Sequence, residues 1–448
     1  MKKKIVTVMA FVALAFAAGA QVAFTGTDKA VYDEKPAAST GLSHVYVLHS
    51  STGVGMTYTA TDASASVTWY RYGASGGGYA TVIDGITSSG AVTTLSQVIP
   101  DCGYIIEEGT RRTYVWVADY GSHDLSLQSI ATEPAQDCGT ATINVGGSGS
   151  DIDYYTINGV HRVLDRQLKL TYNTLEWNSD SQQWVEKAET ESYESFKPTI
   201  VVPAPLCNTT FTLSGDRFKE YWGETQTVSS DTYTTAAVEV QTTAEQEERS
   251  NDNEKKEETS STLGGSAPVK ITFKSYCTDA VIHKEWQMAT DADFNNIELR
   301  LNDDEVEQTF EEAGTFYWRF IGSNSDGSCS STGETYTVTI GTSELVCPNV
   351  FSPGSSEGVN DVWKVSYKSI ISFHCWIFNR WGVKITEFTD PSQGWDGRYR
   401  SKLVDTGVYY YVIQASGSDG KKYKLKGDIN IIRYKENSTT SGSTSSDS

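Results

Sequence analysis

Metal or acid–base chemistry would first be sought at the six histidines, His44, His49, His123, His161, His283 and His374. None stands in an H-E-x-x-H arrangement or another recognisable ligand spacing, and no G-x-S-x-G nucleophile elbow occurs. The seven cysteines, Cys102, Cys138, Cys207, Cys277, Cys329, Cys347 and Cys375, contain no C-x-x-C pair, so no zinc-ribbon pattern is present. Gly76, Gly77 and Gly78 lie between candidate strands. A phosphate cradle would need G-x-x-x-x-G-K-[ST] running into a helix, and a hairpin loop is expected instead. Asp291, Asp293 and Asn295 have the two-residue spacing that opens a calcium loop. That loop then requires Gly at its sixth position and Glu at its twelfth, where Asn296 and Asn302 stand, so a solvated turn is expected. The 57 acidic side chains leave glycosidase-like carboxylate pairs open, because the required separation is spatial. A cryptic glycan-active enzyme is the remote alternative. The expectation is no enzyme, no metal and no cofactor.

The N-terminal residues read as an export signal. Lys2, Lys3 and Lys4 precede an apolar run from Ile5 to Ala18, and Ala18-Gly19-Ala20 places cleavage between Ala20 and Gln21. No Cys follows that point, which argues against a lipidated N-terminus, and no later segment approaches 18 apolar residues. No transmembrane segment is therefore expected after signal removal. Disulfides can form in such a compartment. Cys277 with Cys329 is the expected pair, since both fall in one sandwich unit, with Cys102–Cys138 and Cys138–Cys207 left open.

Beyond Ala20 the chain carries 33 basic and 57 acidic side chains, a net −24, unevenly spread. Residues 346–435 hold 13 Lys and Arg against 8 Asp and Glu, so this end is +5 and the rest −29. Nucleic acid is not a partner expected of so acidic a body, because phosphate backbones need a basic footprint.

Short alternating runs punctuated by Gly, Asn, Asp and Ser predict an all-β chain of tandem sandwiches. An immunoglobulin-like sandwich is expected over 21–147, with "SVTWYRY" (66–72) and "RTYVWVADYG" (112–121) as core strands. A second sandwich follows over 148–245, in which "QLKLTYNTLEW" and "QWVEKAETESY" form a hairpin and "TFTLSGDRF" a strand. Pro203 and Pro205 confine "PTIVVPAPLC" to an edge or connector. Residues 246–265 are polar, charged and free of aromatic residues, which predicts a disordered linker or loop. A third sandwich over 266–342 repeats the first in outline: Trp286 answers Trp69 and Trp318 answers Trp116.

The last module, 346–434, is the most informative, and residues 435–448 read as a disordered tail. "FHCWIF" (373–378) puts Phe373, Cys375 and Ile377 on one face. Asn379-Arg380-Trp381-Gly382 then turns the chain, "VKITEF" returns antiparallel, and Gly394-Trp395-Asp396-Gly397 makes a second turn. "GVYYYVIQA" and "KYKLKGDINIIR" complete a sheet with one buried and one wet face. Six stretches, "NVFSP" (349–353), "GVND" (358–361), "IFNRWG" (377–382), "GWDG" (394–397), "TGVYYYVI" (406–413) and "KG" (426–427), resemble, in order, the gliding-motility-associated C-terminal domain. That domain is the type B sorting domain of the type IX secretion system of Bacteroidota. The preceding sandwiches resemble PKD-like or Ig-like modules on fold alone.

The resemblance makes Phe378, Asn379, Arg380, Trp381, Gly382, Gly394, Trp395, Asp396, Gly397, Gly407 and Tyr409 the expected sorting and anchoring motif. It implies surface localisation in association with the outer membrane. The implied partners are the type IX machinery and a barrel of the PorP/SprF kind, with an accessory role in secretion or gliding. A stalk or adhesin with a host or glycan ligand is the alternative. Two features depart from the family: Ser355, Ser356 and Glu357 stand where its loop carries Asn and Asp, and the chain continues past the last strand.

Overall fold

A computed structural model describes residues 22–135, 137–256, 263–354 and 358–432. The expected signal, its Ala20–Gln21 cleavage site and the tail at 435–448 lie outside the described residues. The chain is all-β and divides into two compact units. One comprises residues up to 174 with 186–235; the other comprises 175–185 with residues from 236 onward.

In the first unit, one sheet runs Val22–Thr25, Gly55–Thr59, Val92–Leu95, Thr87–Ser89. The facing sheet runs Tyr32–Glu34, His44–Leu48, Arg111–Asp119, Cys102–Glu108, Val67–Tyr72, Thr81–Val82. Trp69, Met56, Tyr58, Tyr104, Ile106 and Val117 fill the space between them. Strand alternation sends Val45, Val47, Ile105 and Trp116 to the opposite face of the wide sheet. Trp116 therefore does not share the Trp69 core, as the immunoglobulin-like reading implied. It is covered by Ile152, Tyr154 and Leu164 and by Phe218 and Trp222 of the helix Arg217–Trp222. That helix corrects the strand expected through "GDRF". Asp216 caps its start by accepting from Lys219 N (3.0 Å), and Gly223 closes it with φ +73°.

The boundary expected at 147 also moves. Ser126–Thr132 and Thr140–Ser148 pair with Thr199–Pro203, and these strands face the sheet Gln183–Tyr193, Leu168–Asn178, Thr212–Gly215, Gln226–Ser229. Their shared core contains Ile130, Ile143, Leu170, Ile200 and Phe211. As the prolines required, Thr199–Pro203 is an edge.

In the second unit, Val240–Gln246 pairs with Val269–Cys277 rather than closing the preceding sandwich. It forms one sheet with Glu305–Phe310, facing Leu263–Gly265, Tyr336–Ile340, Gly314–Ser323, His283–Ala289, Ile297–Leu301. Phe273 stacks on Trp318 at 4.5 Å, and Trp286 lies in the same core. Here the two tryptophans do share a core, unlike Trp69 and Trp116. The Asp291 turn is solvated: the carboxylate accepts from Asn295 N and Asn296 N.

The expected Cys277–Cys329 bridge does not form. Cys277 is a free thiol ending a strand of one sheet. Cys329 sits in the turn beside Ser330–Thr332 of the other sheet and is disulfide-bonded, as is Cys138. Shared membership of a sandwich does not bring two Cβ atoms within the roughly 4 Å that a disulfide needs.

Candidate functional site: the C-terminal sheet and its turns

Five strands, Val350–Phe351, Lys422–Ile431, Gly407–Gly417, Ile370–Phe378, Lys384–Phe388, form the terminal sheet in that order. Period-two alternation buries Phe373, Cys375, Ile377, Ile413, Ala415, Tyr423, Ile429 and Ile431 on one face. Trp363, Val365 and Tyr367 close over them from the other side. The sequence reading missed these three, although W-x-V-x-Y is itself a period-two signal. Trp363 is fully buried and its Nε1 donates to Pro348 O (2.7 Å). Burial pushes the Cys375 thiol up to about 12, with neighbouring Cys347 adding to the shift.

Four of the six motifs bring Phe351, Ile377, Trp395 and Ile413 into this core, and the others brace its edges. In "GVND", Asp361 accepts from Gly354 N (2.9 Å) and Gly358 N (2.8 Å), tying the loop that follows "NVFSP". In "GWDG", Gly394–Trp395 pairs with Trp363–Lys364. The Trp395 ring lies 5.4 Å from Phe351 and 5.1 Å from Tyr409, while its Nε1 donates to Arg398 O (2.9 Å). Asp396 stabilises the turn by accepting from Arg398 N. Gly397 is doubly required: φ is +74°, and a Cβ would stand 2.6 Å from Pro353 Cγ. In "TGVYYYVI", the Tyr409 hydroxyl donates to Asp405 O (3.1 Å), and Gly407 opens the strand. In "KG", Gly427 pairs with Tyr411, whose hydroxyl would be 2.6 Å from any Cβ there. Tyr411 thus lies over Gly427 on the core face and reaches Trp363 at 5.3 Å.

The "FNRWG" turn behaves differently. Asn379 Oδ1 accepts from Trp381 N and Val383 N (both 3.0 Å), and Gly382 N donates to Asn379 O. This turn throws Trp381 outward, 72% exposed, with the Arg380 guanidinium 4.2 Å from its ring. Phe378 is half-buried on the wet face. The motif residues therefore divide, with Trp395, Gly397 and Tyr409 packed on or against the core, Asp396 holding an exposed turn, and Phe378, Arg380 and Trp381 on the solvent side. Arg380, Trp381, Asp405, Thr406, Val408 and Tyr409 line a groove of about 140 Å³ at that end.

The polar stretch expected to be a disordered linker is partly fixed. Tyr367 N donates to Asn253 O (3.1 Å), Lys255 N donates to Tyr367 O (2.8 Å), and Asn253 Nδ2 donates to Val365 O and Pro391 O (2.8 and 2.7 Å). Arg249 and Asn251 hold the Glu254 carboxylate, and Lys255 pairs with Glu344. Residues 249–255 thus strap the module from outside the motif-bearing segment, while 257–262 lie outside the described residues. No composition rule finds this strap, because the groups that fix it to the module, around Val365, Tyr367 and Pro391, lie in a distant segment.

Residues 345–431 match the CHU_C type IX secretion signal domain. The chain carries a type IX sorting signal at this end, and residues 129–230 match a fibronectin type III domain, within the second sandwich. No curated protein matches the chain. Among solved structures it is similar to a tetra-tandem repeat in the extending region of a large adhesion protein. That likeness is 12% identical with TM-score 0.22, covering 86% of this chain and 97% of that one. A second is three N-terminal domains of the bacteriophage RB49 highly immunogenic outer capsid protein, 10% identical with TM-score 0.23, covering 70% and 100%. A third is a structure described for host cell surface retention of a 1.5-MDa bacterial ice-binding adhesin, 11% identical with TM-score 0.20, covering 69% and 99%.

Proposed function

We propose that this is a non-enzymatic surface protein, exported by the type IX system and retained at the outer membrane through residues 345–431. The retaining partner in this reading is a barrel of the PorP/SprF kind, and the sandwiches serve as an accessory of the apparatus. One observation carries the reading: the secretion-signal match coincides with a compact core to which Phe351, Ile377, Trp395 and Ile413 bring four of the six motifs. The fibronectin type III and secretion-signal matches support the non-enzymatic part. Deleting residues 346–448 is expected to leave the protein in the periplasm at normal transcript levels. If proteinase added to intact cells still strips the truncated protein from their surface, the reading fails. Affinity purification from detergent-solubilised outer membranes then separates roles. A stoichiometric barrel with apparatus subunits fits the accessory, whereas host-glycan binding without them fits an adhesin.

A further inference from the structure

The wet face of the terminal sheet carries an uncovered apolar strip whose composition is that of a protein-recognition surface. Register places Phe378 beside Tyr410 and Trp376 beside Val412, with Val408 further along the same strand. Val408, Tyr410 and Val412 are 42%, 46% and 38% exposed, and Trp381 extends the strip at the turn. Monomeric proteins seldom leave a contiguous strip of this kind open to water. Aromatic residues beside Arg make up the energetic centres of protein interfaces.

The charges bordering the strip are mixed but predominantly basic. Lys422, Lys424 and Lys426 project from the same face of the adjoining strand, with Lys426 beside Val412 and Lys424 beside Gln414. These three make no ion pair among the described residues. Of the acids here, Glu387 is held by Lys384 (2.9 Å) and His374, Asp428 beside Tyr410 accepts from the uncharged Asn430 Nδ2 (2.7 Å), and Asp405 lines the groove with Arg380. A matching surface is therefore anionic where it meets Lys422, Lys424 and Lys426 and apolar at its centre.

We infer that this face is the docking surface for an outer-membrane barrel protein that sets acidic side chains against Lys422, Lys424 and Lys426. The same protein seats an apolar side chain in the groove between Trp381 and Val408. The inference rests on the export reading above and names its contact. A protein partner fits better than a lipid surface for two reasons. Lys426, Val412 and Trp376 share one row across the sheet, so immersing the strip in hydrocarbon would drag the ammonium group down with it. A headgroup layer also has no side chain to fill a groove.

The test places a photo-crosslinking phenylalanine analogue at Tyr410 or Val412 of the full chain in the secreting cell, with Val201 as the control position. The expected result is an adduct to one outer-membrane barrel, its linked peptide containing Asp or Glu, and no such adduct from Val201. The variant Trp381→Ala with Val412→Asp should lower that adduct and the surface-retained fraction about tenfold. Its purified form should keep the wild-type melting transition. Adducts only to lipopolysaccharide or to a second copy of this chain overturn the inference, as does a folded double variant retained at the wild-type level. If the chain lacking 346–448 also reaches the surface, the export reading itself has failed; if only the double variant does, this contact alone has failed.

Discussion

Trp395 is 2% exposed and Trp381 72%, although each belongs to a glycine-bounded turn of the same module. Local hydrogen bonding decides the difference. Trp395 Nε1 reaches Arg398 O inside the turn, so the ring can lie against Phe351 and Tyr409 without an orphaned donor. Trp395→Ala should therefore cost about 3–5 kcal/mol in urea unfolding of the second unit, while Trp381→Ala should leave the transition nearly unmoved. A second residue-scale prediction concerns pH. Burial alone would depress the His49 imidazolium, but its hydrogen bonds to Asp28 and Glu224 outweigh that and raise it above the ordinary value. A raised histidine contributes stability that is complete below about pH 6.5 and is lost as pH climbs through the folded value. Melts of the first unit should fall in temperature from pH 6 toward pH 8, and His49→Gln should flatten part of that fall. The alternation of Phe373, Cys375 and Ile377 was legible in sequence because period two needs no partner to be read. The exposure of Trp381 was not, since it depends on which backbone groups Asn379 accepts from.

Elements show where such reading stops. Strands with clear alternation form where they are expected, but their assignment to sandwiches depends on pairing across long sequence separations. Ser126–Thr132 and Val240–Gln246 each joined the following sandwich rather than the preceding one. The helix Arg217–Trp222 is anchored by a buried carboxylate at its start. Asp216 is fully buried, pairs with Arg166, accepts from Tyr120 Oη (3.1 Å) and caps the helix. Asp216→Ala strands the Arg166 guanidinium and should cost about 3–5 kcal/mol, measured by urea unfolding of the first unit. The strap supports a different experiment. A fragment of residues 345–432 lacks the partners that Asn253 and Lys255 give to Val365, Tyr367 and Pro391. It should unfold at lower denaturant than residues 236–432, with faster amide exchange around Tyr367. Equal midpoints would mean that the strap contributes nothing.

Across the whole molecule, charge and architecture separate into an acidic series of sandwiches and a basic terminal module. The wide sheet of the first unit is covered on both sides, whereas the terminal sheet keeps one face open and studded with Lys. On the reading proposed above, recognition belongs to the C-terminal end, and that end should be transferable. Joining residues 236–448 to a periplasmic reporter, and measuring how much of it proteinase removes from intact cells, tests this most directly. The reporter should become protease-accessible in a strain with a working type IX apparatus and stay protected in one without it. A reporter accessible in both strains, or protected in both while folded, would contradict the account.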